Sequence, residues 1–200
     1  MRRWYTFIYC LIYPFFNLVH PTRAIGMEHL PESGALLCAN HTKASDPFFI
    51  VFAFGLKRQM SAMAKAEIMK VPVVGWLLKK AGIIGVERGK ADVGAIKSAM
   101  KMLKAGGHLI MFPEGTRVAE GQEEDHEAKT GAAMLATRTG VPIVPVYIPR
   151  KKKWFRPTTI VIGEAYHPAF EGKRATPDDY RAIADDLMER IFALAEQVKE

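Results

Sequence analysis

Two rhythms of apolar positions alternate along this chain. Short continuous apolar runs bounded by turn residues predict buried strands at ALLCA (35–39), IIGV (83–86) and HLIMF (108–112). Further strands are predicted around Ala24 to Leu30, from Gln59 to Ala64, and at VPIVPVYI (141–148) and TTIVIGEA (158–165). The two prolines of VPIVPVYI predict an edge position or a bulge, because proline cannot donate to a ladder. Between the strands lie helical segments. Asp46-Pro47 reads as an N-cap followed by proline at the first helical position, opening a helix through about Phe54. VPVVGWLLKKAG follows the same logic, with Pro72 early and Gly82 just past the end. From Asp92 to Lys104, Val93, Ile96, Met100 and Leu103 share one face, and Gly106 stops the helix. TGAAMLATRTG predicts a short helix of small residues, and Thr176 with Pro177 and two early aspartates announces a long C-terminal one. EGQEEDHE (120–127) reads as a solvated acidic loop and RKKKWFRP (150–157) as a basic hairpin.

Strands alternating with helices predict an α/β fold: a single domain over residues 23–200 with a mostly parallel or mixed central sheet flanked by helices. Functional sites in such sheets gather beyond the carboxyl ends of the strands. Three chemically loaded stretches fall there: NHTKASD after ALLCA, ERGK after IIGV, and PEGTR after HLIMF.

Residues 1–22 form a separate unit. A basic start precedes an apolar run rich in Trp and Tyr, which as a helix reaches roughly 24 Å, short of the ~30 Å hydrocarbon core of a bilayer. The run is interrupted by Pro14 and lacks a small-residue cleavage site, so it is expected to stay on the protein as an interfacial anchor, with Arg2 and Arg3 toward anionic headgroups. A helix packed on the domain is the alternative. Trp154 and Phe155 in the basic hairpin suit insertion into the same surface, and the neighbouring lysines would each gain about 1 kcal/mol from anionic lipid.

Charge and composition narrow the picture further. The net charge of +7 favours polyanionic partners: nucleic acid, an anionic membrane or phosphorylated substrates. The chain carries no recognised nucleic-acid motif, and none of these partners is expected to be a nucleic acid. Two scattered cysteines, Cys10 and Cys38, exclude a disulfide framework and fit a reducing cytosol.

In NHTKASD, His41 precedes Asp46 by five positions, a spacing at which a carboxylate can orient an imidazole as a general base. The same residues also read as a loop histidine and a helix cap. In PEGTR, Gly115 permits close backbone approach, Arg117 offers a guanidinium suited to phosphate, and Glu114 can orient the arginine. Arg88 and Lys65 are further cations after strands. Together these groups describe a site that activates a hydroxyl on a phosphate-bearing substrate. Neither a metal cluster nor an activated Ser or Cys nucleophile is legible.

NHTKASD, GIIGVER, FPEGTR and VPIVPV, in this order over residues 40 to 146, resemble the four motif blocks of the glycerolipid acyltransferase family, and within it the lysophosphatidic acid acyltransferases. The resemblance implies that His41 deprotonates the sn-2 hydroxyl of 1-acyl-sn-glycerol 3-phosphate for attack on an acyl thioester, with Asp46 orienting it. It further implies substrate binding by Arg88, Glu114, Gly115, Thr116 and Arg117, with Lys65 as a further cation. The implied donor is acyl-CoA or acyl carrier protein, with no metal or other cofactor. The product would be phosphatidic acid, made at the cytoplasmic face of the membrane by a monotopic or peripheral enzyme. Another phosphorylated or amino-lipid acceptor, or a noncatalytic membrane-binding module, are the competing readings.

Overall fold

The computed structural model describes residues 2–87, 92–118 and 128–198; the acidic EGQEEDHE stretch lies outside them. Helix α1 (Arg2–Val19) leads to strand β1 (Thr22–Ile25), β2 (Ala35–Ala39), α2 (Asp46–Phe54) and β3 (Met60–Lys65). Then come α3 (Val74–Ala81), β4 (Ile84–Val86), α4 (Val93–Lys104), β5 (His108–Met111), α5 (Gly131–Thr139), β6 (Ile143–Tyr147), β7 (Thr158–Ile162) and α6 (Pro177–Ala193). The strands form one sheet in the order β1-β7-β6-β2-β5-β3-β4, parallel at every pairing except β6 with β7. This is the single α/β domain with a mixed sheet that the alternation of elements predicts.

Alternation along the central strands supplies both faces. Leu37, Ala39, Ile110, Val144 and Val146 pack under Phe49, Ile50 and Phe54 of α2. Their neighbours Leu36, Cys38, Leu109 and Ile143 meet α4, α5 and α6 through Leu103, Ala132, Leu135, Ile183 and Leu187. Every residue of β2 is buried, as expected of a strand covered on both faces. Cys38 is one of these, its thiol pushed well above the ordinary range by burial, so it is a small apolar filler.

Three expectations about local structure change. The first strand ends at Ile25, because Gly26 adopts φ 78° and turns the chain into a 3-10 segment, Met27–His29. A Cβ there would sit 2.0 Å from the Ile162 carbonyl oxygen, so only glycine fits the turn. Second, β6 is not an edge strand despite its proline. Pro145 lies where β6 pairs with β2 on one side and has only begun to pair with β7 on the other, and its carbonyl accepts the Gly163 N–H at 2.8 Å. The register between Val146↔Ile162 and Ile143↔Tyr166 takes three steps on β6 against four on the opposite segment, a bulge that leaves no donor demanded of Pro145. Third, α1 packs on the domain while also presenting an apolar outer face. Tyr9, Tyr13 and Phe16 pack edge-on or tilted against Phe52 of α2 with ring centroids 5.0 to 5.3 Å apart, while Phe7, Leu11, Phe15 and Leu18 are more than half exposed. Among the described residues no helix is long and apolar enough to cross a membrane. Residues 48–54 are largely core, whereas Val73, Val74 and Trp76 are exposed.

The carboxyl ends of β2, β5, β3, β4 and β6 all reach one edge of the sheet. There Asn40, fully buried, extends the β2–β6 pairing with its side chain: Nδ2 donates to the Ile148 carbonyl at 2.9 Å and Oδ1 accepts the Ile148 N–H at 2.8 Å. Asn40→Ala should therefore orphan two buried backbone groups and lower unfolding stability by about 2–4 kcal/mol in urea titration, and a loss under ~1 kcal/mol would show that the clamp is dispensable.

Candidate active site

Immediately after Asn40 the chain leaves the sheet and turns through residues 42–45 into α2. The Asp46 N–H closes this turn on the Lys43 carbonyl at 3.0 Å. Asp46 is the first residue of α2 and Ser45 takes the N-cap position without a side-chain bond, which corrects the reading of Asp46 as the cap. The Asp46 carboxylate faces backward instead. Its Oδ2 accepts the N–H groups of Thr42 at 2.6 Å and Lys43 at 2.7 Å, and lies 3.0 Å from His41 Nδ1. Proline at position 47 starts the helix without needing an N–H partner, so Asp46 is released from capping to serve the loop.

Asp46 is fully buried, and its Oδ1 forms an ion pair with Lys152 Nζ at 2.9 Å. Burial alone would raise its carboxyl; the bond to His41, the Lys152 charge and the Lys43 amide outweigh it and hold the group down to about 2. An ionised Asp46 has no proton to give, so the hydrogen between it and His41 belongs to Nδ1. The neutral imidazole then carries its lone pair on Nε2, the nitrogen available to take a proton. Burial pushes the Lys152 ammonium down and Asp46 opposes that shift, while its Nζ also donates to Thr42 Oγ1 at 2.9 Å.

The turn after β5 braces the same histidine. Its ring stacks on Phe112 with centroids 4.1 Å apart and planes 22° apart. The His41 N–H donates to Glu114 Oε2 at 2.5 Å, and the His41 carbonyl accepts the Val118 N–H at 2.9 Å. Glu114 is buried, so its carboxylate anchors the histidine backbone. Gly115 turns at φ 69°, a conformation that suits glycine, and a Cβ there would crowd Lys129 at 3.1 Å. Thr116 and Arg117 follow on the exposed rim.

The structure thus brings His41, Asp46 and Glu114 into direct contact, with Gly115, Thr116 and Arg117 in the adjoining turn. Lys65 ends β3 on the same edge of the sheet, exposed, with Nζ 3.6 Å from Glu67. Arg88 lies outside the described residues, two positions beyond the end of β4. Among the described residues no three His, Cys, Asp or Glu side chains converge as a metal site requires.

Three participants escape a sequence reading of the motifs: Asn40, Phe112 and Lys152. Lys152 sits inside a run of basic residues expected to face lipid, yet its side chain is 1 % exposed. A signal for it exists in the two-residue period of an extended chain. Val146 and Ile148 point inward, and continuing the alternation past β6 turns Arg150 and Lys152 the same way, with Lys151 and Lys153 outward.

Comparisons with known proteins point to one family. The acyltransferase family model matches residues 22–149, more than half of the chain and the span from β1 to the end of β6. A 1-acyl-sn-glycerol-3-phosphate acyltransferase of Pseudomonas aeruginosa is 33% identical over 189 residues, which cover 86% of this chain and 71% of that protein. A chloroplastic 1-acyl-sn-glycerol-3-phosphate acyltransferase of Brassica napus is 32% identical over 139 residues, but these are 68% of this chain and only 38% of the plant protein. The fold superposes on the crystal structure of the 1-acyl-sn-glycerophosphate acyltransferase PlsC from Thermotoga maritima with a TM-score of 0.69 at 22% identity, covering 100% of this chain and 81% of that one. With the matched span enclosing the oriented histidine and the turns that brace it, the chain belongs to the acyltransferase family.

Proposed function

We propose that the chain transfers a fatty acyl group from a thioester donor, acyl-CoA or acyl carrier protein, to the sn-2 hydroxyl of 1-acyl-sn-glycerol 3-phosphate, yielding phosphatidic acid. The observation that carries this reading is His41 Nδ1 held 3.0 Å from an ionised, buried Asp46. Nε2 removes the proton of the acceptor hydroxyl as its oxygen attacks the thioester carbon. The tetrahedral intermediate then expels the thiolate, which recovers the proton from Nε2. Asp46 keeps the tautomer and stabilises the imidazolium between the two steps. The acceptor phosphate is assigned to Arg117 and Lys65 on the exposed edge beyond β5 and β3, and to Arg88 beyond β4. Gly115 and Thr116 shape that turn. The identity of the acceptor draws support from the names of the relatives in Pseudomonas aeruginosa and Brassica napus.

We also infer that the protein docks on an anionic membrane, at its cytoplasmic face. The apolar outer face of α1 continues at one end into Trp76, whose ring meets Trp4 at 4.9 Å with Lys80 Nζ 5.9 Å from both rings. At the other end the Phe155 N–H donates to the Val19 carbonyl at 2.8 Å, and Trp154 and Phe155 are 70% and 64% exposed. Aromatic and aliphatic side chains bordered by lysines form one band suited to an interfacial helix lying on a bilayer.

A transfer assay over a matrix of thioesters and acceptors tests the activity. His41→Ala should lose about a thousandfold in turnover, as should Asp46→Asn, which keeps the shape but cannot enforce the tautomer. Unchanged phosphatidic acid formation in either variant would defeat the mechanism.

Lys152→Met removes the cation from a buried carboxylate and should destabilise the fold by about 3 kcal/mol at neutral pH. With the Asp46 carboxyl at about 2 in the folded protein against an ordinary 3.8, its stabilisation is complete above the higher value and is lost as the pH falls through the lower one. That loss amounts to about 2 kcal/mol and should be smaller, and complete at a higher pH, in Lys152→Met; urea titrations between pH 2 and pH 7 give both quantities.

Paired Trp154→Ser and Phe155→Ser substitutions should weaken sedimentation with phosphatidylglycerol vesicles by about tenfold while leaving transfer between dispersed short-chain substrates intact. Equal vesicle binding would remove the hairpin from the docking face.

A further inference from the structure

The turn that leads into α3 is tightly bonded, exposed and apolar at once. Pro72 is followed by Val73 at φ 63° and ψ −57°, and the Val74 N–H donates to the Pro72 carbonyl at 2.6 Å. This is a γ-turn of the strained kind, in a region of backbone space that glycine reaches freely and β-branched residues avoid. The rest of the segment is held closely. The Gly75 N–H donates to the Val71 carbonyl at 2.8 Å, and a Cβ on Gly75 would stand 2.1 Å from the Met69 carbonyl oxygen. The Leu77 N–H bonds the Val73 carbonyl at 2.9 Å, so the turn is continuous with α3. Val73 is nevertheless 68% exposed, with Val71 and Val74 exposed beside it and Trp76 one helical turn further on. Packing inside the fold therefore does not account for an aliphatic side chain on a backbone that suits glycine.

Charge and position select what covers it. Residues 68–82 contain three lysines, Lys70, Lys79 and Lys80, and no acidic residue. Two copies of this surface would set those charges against one another, whereas an anionic bilayer attracts them. The Trp76 ring meets Trp4 in a T-shaped contact at the head of the outer stripe of α1, so the turn extends that apolar band. A concavity of about 510 Å3 between Trp4, Trp76, Lys79 and Lys80 sets indole rings beside ammonium groups, the combination favoured at the headgroup level of a membrane. The turn also follows Lys65, the last residue of β3, at the sheet edge to which the carboxyl end of β2 brings His41. Resting on the reading of the chain as a membrane-docked enzyme, we propose that segment 71–76 is a wedge that inserts Val73 and its apolar neighbours into an anionic bilayer. Lys70, Lys79 and Lys80 meet the headgroups around it. The strained turn holds the valine outward on a fixed backbone, so little conformational freedom is lost on insertion. The wedge thereby sets the carboxyl edge of the sheet against the surface in which a lysolipid acceptor resides.

The experiment uses the full chain and vesicles of phosphatidylglycerol mixed with phosphatidylcholine. Val73→Gly removes the inserted side chain and suits the backbone, so it should unfold at the same or a higher urea concentration yet bind vesicles at least about fivefold less well in sedimentation. Its KM values and turnover with dispersed short-chain substrates should stay within about twofold of the unmodified protein. A nitrobenzoxadiazole fluorophore on Val73→Cys, in a chain also carrying Cys10→Ser because Cys10 is exposed and Cys38 buried, reads insertion directly. Its emission should move to shorter wavelength on vesicles and be quenched by nitroxide on the lipid acyl chains. Undiminished vesicle binding by Val73→Gly, or a fluorophore that stays in water on the bound protein, overturns the wedge and leaves docking through α1 and the hairpin standing. A lower urea midpoint assigns Val73 to the fold, a changed KM for dispersed substrates assigns it to substrate binding, and a change of mass in lipid-free sedimentation equilibrium assigns it to a protein interface; each overturns the proposal. Failure of the unmodified protein to bind any vesicle refutes the docking reading, and the wedge with it.

Discussion

The fully buried carboxylate of Asp46 is the constraint around which this structure is organised. An isolated charge in such a position would cost many kcal/mol, and the protein surrounds it with donors from two separate segments. Two backbone amides and the His41 imidazole come from consecutive residues between β2 and α2, and an ammonium comes from Lys152, 106 positions beyond Asp46. Every one of these must be in place together. The carboxylate therefore ties the end of β2 to the start of α2 and to the segment after β6, so the loop that holds His41 is anchored to the sheet beneath it.

Each oxygen of that carboxylate has its own duties. Oδ1 faces Lys152 and Oδ2 takes the amides and the imidazole, so a turn of the group about its terminal torsion would exchange a cation for amides and leave both sets mismatched. His41 is confined just as closely from the other direction, with its ring on Phe112 and its backbone held by Glu114 and Val118. Acid-base catalysis depends on such placement, because a proton is transferred efficiently only to a nitrogen already directed at it. Glu114 is instructive here. Its motif position invites a role with the neighbouring arginine, and one of its carboxylate oxygens also holds the His41 backbone.

Much of the fold was legible because its elements have strong local signatures. The runs ALLCA, IIGV and HLIMF contain β2, β4 and β5, and the caps at Asp92 and Thr176 both make the side-chain bonds that their positions imply. Of the two positions that the prolines of VPIVPVYI predict, the bulge holds and the edge does not: proline is excluded from an interior ladder only where a donor is required, and the bulge opposite Pro145 removes that requirement. His41 with Asp46 was legible as a pair through spacing and motif order, whereas the direction in which Asp46 faces was not. Choosing between capping α2 and binding the loop depends on Lys152, whose position in space is set by β6 and not by anything near residue 46.

Lys152 also shows why a basic run is a poor unit of interpretation. Within RKKKWFRP, alternation along an extended chain sends one lysine into the site and its two neighbours toward solvent, and a turn with Phe155 at φ 57° then sets the aromatic pair beside the end of α1. A period of two separates the inward lysine from the outward ones, and the turn that follows it sets the aromatics apart from both. A shift of one residue in this segment would expose Lys152, strand Asp46 without its counter-charge and turn an outward lysine into the core. The register of β6, secured by Asn40 against Ile148 at its end, is thereby coupled to the electrostatics of the base. The clamp next to His41 is thus part of the site, although it touches no group that reacts.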